Sequence, residues 1–273
     1  PKQEVFIPGN AEKIKDKGNY LLNPSIEEDM NWDDIGKKIG DAKIDKDDSE
    51  AVIEFVLQAS YKKYFDGSKD VYPYAGKRSP NWKLGDIYHS TPLIVGAPPL
   101  NLPDAPFPQK YSKYKEDNKA RETVIYVGAN DGMLHAFNGT DGKEKFAVIP
   151  RNLLGKLKEI RKDHQFFIDS SPRAYDVYHR KGKKKDEWKT IVVSGERGGG
   201  NYYFAIDVTD PNKKPEILWE LTDTAMGKTW SRPEIGLVRI SGEEKFVAFV
   251  GGGYSDPLDA MFDNIGNTFY AID

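Results

Sequence analysis

With 273 residues, 38% hydrophobic and 12% aromatic, the chain can bury a sizeable core, and a formal charge of −3 gives no general attraction to nucleic acid. The absence of cysteine excludes disulfides, thiolate catalysis and sulfur-ligated metal centres. No apolar run approaches the roughly 20 residues of a membrane-spanning helix.

Residues 1–79 read as an irregular lead-in broken by Pro8-Gly9-Asn10, Asn23-Pro24 and Gly40-Asp41, with one strand expected from Asn19 to Leu22. Within it, Asp47 is placed to cap an amphipathic helix over 47–64. Glu50 follows three residues later, and Ile53, Val56, Leu57, Tyr61 and Tyr64 share one stripe. Residues 80–273 read as a partial β-propeller, with blades over about 84–150, 165–221 and 229–273, the last incomplete.

One plan recurs three times in that region. A strand opened by proline follows Ser90-Thr91-Pro92, Ser170-Ser171-Pro172 and Ser231-Arg232-Pro233. A second strand ends in glycine at Gly128, Gly195 and Gly251, and a third closes on Ala136-Phe137-Asn138, Ala205-Ile206-Asp207 and Ala271-Ile272-Asp273. Fourth strands are expected at Glu144 to Ile149 and Glu216 to Leu221. Repetition of four-stranded antiparallel units is the mark of a propeller, and the blades resemble those of quinoproteins. Closure takes about four to eight such blades, so three are expected to belong to a longer polypeptide.

Between the strands, the proline-rich insert Pro98 to Pro108 separates the first two strands of the first blade. A second short peripheral helix is expected from Pro150 to Ile160, with Leu153, Leu154, Leu157 and Ile160 on one face. Lys181 to Lys189 carries five lysines and reads as a solvated hairpin tip. Asn138-Gly139-Thr140 is formally a glycosylation sequon but reads as a tight turn.

No catalytic constellation emerges. Gly195-Glu196-Arg197-Gly198-Gly199-Gly200 leads into another strand rather than a helix, and Gly227-Lys228-Thr229 lacks the preceding glycine of a phosphate loop, so both read as backbone turns. His89, His135, His164 and His179 lack metal-site spacing and read as packed or hydrogen-bonded residues. Calcium stays open at two places. Asp45, Asp47 and Ser49 copy the first alternate positions of a calcium loop, but Glu50 and Val56 replace its Gly and Glu. Asp256, Asp259, Asp263 and Asn264 occupy one long loop with no recognised spacing.

The segments Leu84-Gly85-Asp86-Ile87-Tyr88-His89-Ser90-Thr91-Pro92, Tyr126 to Phe137, His164 to Asp169, Gly199 to Pro211 and Leu218-Trp219-Glu220 resemble, in order, the C-terminal propeller of the PilY family. The resemblance implies a non-enzymatic protein of the cell surface and pilus tip, exported through the periplasm and outer membrane. Such a protein supports type IV pilus assembly, opposes retraction and mediates attachment to host or abiotic surfaces, with minor pilins as partners. It implies calcium for the parent protein, yet the family's compact run of alternating aspartates is missing here, and no cofactor is expected within this chain. Residues 1–79 show no von Willebrand A-like domain.

Two other readings stand beside it. A pyrroloquinoline-quinone dehydrogenase shares the blade pattern, but Gly142-Lys143-Glu144-Lys145-Phe146 lacks the tryptophan that ends that family's docking motif. An outer-membrane assembly scaffold would use a similar propeller to bind barrel-assembly subunits.

Overall fold

The computed structural model describes residues 5–8, 19–22, 84–161, 163–179, 186–213, 215–255 and 265–273. The expected helix 47–64 and both candidate calcium loops, Asp45 with Asp47 and Asp256 with Asp259 and Asp263, lie outside the described residues.

Three antiparallel sheets follow one another along the chain. The first joins β3 (Leu93–Val95), β4 (Val124–Gly128), β5 (Leu134–Asn138) and β6 (Glu144–Val148). The second joins β7 (Arg173–His179), β8 (Glu187–Gly195), β9 (Tyr203–Asp207) and β10 (Glu216–Leu221). The third joins β11 (Glu234–Ile240), β12 (Glu243–Gly251) and β13 (Phe269–Ile272). Each opener proline, each terminal glycine and each closing segment therefore falls where the repeat predicts.

The lead-in contributes more than one expected strand. β1 (Val5–Pro8) and β2 (Asn19–Leu22) form an antiparallel hairpin, and β1 extends the first sheet by pairing parallel to β6, Val5 with Ala147 and Phe6 with Val148. β2 coincides with the predicted strand. β1 was not legible, because Pro8 sits in a run too short to show alternation, and its partner lies some 140 positions away.

Strict alternation of apolar and polar residues is absent from the central strands for a physical reason. From Trp188 to Gly195, every residue of β8 is buried, because this sheet is covered on both faces. One cluster joins Tyr126, Leu134, Phe146 and Val148 of the first sheet to Val192, Phe204 and Ile206 of the second. Another joins Val177, Ile191 and Ala205 of the second to Ile235 and Ala248 of the third. Burial of apolar surface at about 25 cal/mol per Å² makes these sheet-to-sheet contacts the main source of stability.

The terminal glycines are required by the same stacking. A Cβ on Gly128 would run into the backbone carbonyl of Ile168, and one on Gly195 would lie 2.9 Å from Thr229 Oγ1. Ile168 and Thr229 each stand two residues ahead of an opener serine, so the end of the second strand in one sheet abuts the entry to the next.

A buried charged cluster fastens the first sheet. His135 Nε2 lies 3.1 Å from both carboxylate oxygens of Asp131, and its Nδ1 lies 2.5 Å from Glu144 Oε1. Asp131 also accepts the Gly85 N–H at 2.6 Å, tying the entry segment to the sheet. Burial alone would lower the His135 pKa, but the field and hydrogen bonds of Asp131 and Glu144 prevail and raise it to about 10.

Helical structure differs from expectation in two places. The expected helix after Pro150 is a 3₁₀ helix, Arg151–Arg161, with Leu153, Leu157 and Ile160 buried. An additional helix, α1 (Tyr111–Asp117), follows the proline-rich insert. Asp104 stabilises its start by accepting from the backbone N–H and the hydroxyl of Ser112, each at 2.8 Å. The insert and α1 pack on the second sheet: Tyr111 donates to Asp176 Oδ2 at 2.6 Å, and Trp188 Nε1 donates to the Gln109 carbonyl at 2.7 Å. Seven residues are too few to display a helical period, which is why α1 escaped the sequence reading.

The five-lysine segment is not wholly a solvated hairpin tip. Its end is strand, not loop tip: Trp188 and Lys189 belong to β8, and Lys189 is buried against Asp207 with Glu187 3.3 Å away. An internal acidic neighbour outweighs the solvation that a lysine run normally seeks.

Candidate functional site: an aromatic surface at the blade openers

The repeat sets one residue of each sheet ahead of its opener serine: His89, Asp169 and Trp230. Two of these serines act identically. Ser90 Oγ accepts the Gly128 N–H at 2.9 Å, and Ser231 Oγ accepts the Gly251 N–H at 2.8 Å. The preceding side chains, His89 and Trp230, are thereby held at the same end of the first and third sheets, and at the entry of the second Asp169 Oδ2 lies 2.6 Å from His89 Nδ1.

Around them lies a surface of rings. His89 is 4.4 Å from Tyr88, 6.0 Å from Phe166 and 6.5 Å from Trp230, between ring centroids. Phe166 is 5.4 Å from His164, and Trp230 is 6.0 Å from Tyr254. Tyr88 is 68% exposed, and Trp230 and Tyr254 are each 48% exposed. Large exposed aromatics gathered in one patch, rather than scattered, mark an interaction surface.

Local structure fixes two of these rings. Tyr254 is held by two 2.8 Å backbone hydrogen bonds with Lys228, and a Cβ on Gly227 would lie 2.7 Å from the Tyr254 carbonyl carbon. His164 Nε2 lies 2.9 Å from Asp86 Oδ2, which also accepts from Asn130 at 2.7 Å. Burial raises the Asp86 pKa, but these hydrogen bonds and the imidazole charge outweigh it and leave the carboxyl below its ordinary value.

Arg197 completes the surface. Its guanidinium carbon stands 4.4 Å from the Trp230 ring centroid. The residue has φ of 52°, and its N–H donates to Thr229 Oγ1 at 3.0 Å, an oxygen that also accepts the Glu196 N–H at 2.8 Å. The loop bearing Arg197 is thus locked to the entry of the third sheet.

Beneath it, Lys156 from the 3₁₀ helix donates to the carbonyls of Phe166 at 2.7 Å and Gly199 at 2.6 Å. Glu196 is fully buried and accepts from Asn152 Nδ2 at 2.7 Å. Burial raises the Glu196 pKa to about 8 despite Asn152, the Tyr202 backbone and Lys156. Burial likewise lowers that of Lys156 despite Glu196.

The glycine-rich segments are structural. A Cβ on Gly199 would collide with the Phe167 carbonyl, and Gly253 has φ of 100°. A single 3₁₀ turn, Arg197–Gly199, separates β8 from β9. Asn138 forms the expected turn, its side-chain oxygen accepting the Thr140 N–H at 2.7 Å. His89, His135 and His164 are each held by carboxylates, two of them in loops rather than strands. Among the described residues, no group of three or more His, Asp or Glu side chains is arranged to hold a metal ion. Tyr88, Trp230, Tyr254 and Arg197 are not legible as site residues in the sequence alone. Its accessible signal was the position of His89, Asp169 and Trp230 one residue before each opener serine.

Residues 84–268 match the family described as the PilY1 beta-propeller domain. The chain belongs to that family. A type IV pilus biogenesis factor PilY1 homolog of Xylella fastidiosa is 40% identical over 161 residues, covering 56% of this chain and 13% of the relative. The type IV pilus biogenesis factor PilY1 of Pseudomonas aeruginosa is 36% identical over 194 residues, covering 67% of this chain and 16% of the relative. The crystal structure of the Pseudomonas aeruginosa PilY1 C-terminal domain aligns with a TM-score of 0.46 at 34% identity, over 61% of this chain and 32% of that one. The chain thus spans a small part of the curated relatives it matches. As a PilY1-type propeller it carries the whole aromatic surface, Tyr88 to Tyr254, inside the matched residues. No helix among the described residues is long and apolar enough to cross a membrane.

Proposed function

We propose that this chain is a non-catalytic propeller segment serving type IV pilus biogenesis. It acts at the cell surface and pilus tip, reached through the periplasm and outer membrane, where it supports pilus assembly, opposes retraction, engages minor pilins and mediates adhesion. The observation that carries this reading is the family match over residues 84–268, together with 40% and 36% identity to two PilY1 proteins. The rigid joints between sheets suit such a module, since a docking platform needs fixed geometry rather than a mobile reaction centre.

Deleting residues 84–268 in the native gene tests it. Surface pili and twitching motility should be lost, and pili should return when the retraction motor is also removed. Unchanged piliation and motility would refute the assignment. Piliation that stays absent without the motor would refute opposition to retraction while leaving assembly standing. Pull-down with this chain should recover minor pilins; recovery of barrel-assembly subunits in their place would favour the scaffold reading. Oxidation of alcohols by the chain supplied with pyrroloquinoline quinone would overturn the non-catalytic assignment.

Calcium belongs to the same proposal as a ligand of the parent protein. Calorimetric titration of wild-type protein and of an Asp256→Asn, Asp259→Asn, Asp263→Asn variant tests whether that loop binds it. Equal heats from both would remove the loop from consideration.

A further inference from the structure

We propose that Arg197, Trp230 and the rings around them form a docking site for an acidic peptide segment of a partner protein. This goes beyond the pilus assignment and does not depend on it.

Arg197 is a cation lacking a counter-charge: among the described residues, no carboxylate forms an ion pair with it, and its Nε is enclosed without a hydrogen-bond partner. Among the described residues, three carboxylates of this region are committed elsewhere. Asp169 is held by the His89 ring at 2.6 Å and the His89 N–H at 3.0 Å, and Asp86 by Asn130 and His164. Glu196 is fully buried against Asn152.

Further positive charge lies alongside. Lys228 and Arg232 flank Trp230 by two residues on either side; both are exposed, and neither has a carboxylate partner among the described residues. Lys156 lies close enough beneath to feel the charge of Lys228. A chain with net charge −3 therefore gathers, beside its exposed rings, cations that have no carboxylate partner among the described residues.

Geometry selects the occupant. A guanidinium stacked on an indole keeps its plane fixed and its outer N–H groups free for a two-point contact with carboxylate. The adjacent rings are not coplanar: Tyr88 meets Phe166 at 53°, His89 meets Trp230 at 54° and Trp230 meets Tyr254 at 63°. Such relief accepts protruding side chains better than the flat face of a sugar. The strained backbone of Arg197 is what presents its side chain over the indole, a conformation that a non-glycine residue holds only when its surroundings enforce it.

The test is fluorescence polarisation with a labelled Glu-Gly repeat peptide, its Gln-Gly counterpart, and oligogalacturonate as an acidic sugar competitor. The wild-type chain should bind the Glu-Gly peptide, with affinity falling as salt rises, and Arg197→Gln should weaken binding about tenfold or more with its melting temperature kept. Lys119→Gln, in the turn that follows α1, where the lysine already pairs with Glu116, should leave binding unchanged. Should Arg197→Gln fail to fold, Lys228→Gln and Trp230→Leu take its place with the same expectation. The proposal is overturned if the Glu-Gly peptide does not bind, if the Gln-Gly peptide binds equally, or if Lys119→Gln is as damaging as the site variants. It is also overturned if oligogalacturonate binds more tightly than the peptide, since the surface would then be a sugar site.

Discussion

His89 and Asp169 stand 80 positions apart, yet one Asp169 carboxylate accepts the His89 backbone N–H at 3.0 Å and meets its Nδ1 at 2.6 Å. Because both residues directly precede an opener serine, the contact joins equivalent points of adjacent blades. Asp169→Ala would leave a half-buried ring and a backbone donor without their acceptor. Stability should fall by about 1–3 kcal/mol in urea denaturation. Hydrogen exchange should quicken at both openers together, and exchange quickening at one alone would argue against a shared joint.

His135 makes the fold sensitive to alkali. Its folded pKa of about 10 exceeds the ordinary 6.5, so its stabilisation is complete below pH 6.5 and disappears as pH rises through 10. Denaturation midpoints should decline across that window. His135→Leu should remove the decline and cost about 3–5 kcal/mol near neutrality, because Asp131 and Glu144 lose their shared cation. A wild-type stability that stays level up to pH 10 would show His135 to be neutral.

Glu196 works in a lower window. Its pKa is raised from 4.5 to about 8, so the stability that its protonated form supplies is full below pH 4.5 and lost as pH rises through 8. Glu196→Gln preserves an acceptor for Asn152 without the charge. The variant should lose that slope and be more stable than wild type at pH 8, as read from thermal melts across the range. Parallel pH profiles for the two proteins would count against a buried neutral carboxyl.

Blade stacking can be probed by single methyl groups. Gly128→Ala and Gly195→Ala each push a Cβ into the neighbouring blade and should cost about 1–3 kcal/mol. Gly236→Ala places its Cβ at an ordinary 3.6 Å from the Phe249 ring and should leave the melting temperature almost unchanged. Equal effects at all three positions would mean that backbone freedom, not blade contact, explains the glycines.

The sequence by itself determined the propeller plan. Opener prolines, terminal glycines and closing Asn or Asp residues recur because each sheet must meet the next in the same way, and a repeated physical demand leaves a repeated pattern. The glycine at 128 is readable for this reason, although the carbonyl of Ile168 that excludes a side chain there is not. Asn138 and its turn were equally legible, since the bonds that form it span only a few residues.

Tertiary structure alone decided what lies between the repeats. β1 pairs with a strand far along the chain, α1 is stabilised by the second sheet rather than its own period, and Lys189 is buried because Asp207 stands beside it. The aromatic surface is the strongest case. Tyr88 and Trp230 lie beside opener serines, but Phe166, Arg197 and Tyr254 come from other segments with no shared spacing, and the five meet only when the blades stack. Local pattern records contacts made by every blade, whereas this surface is made once, by chain folding that no short stretch encodes.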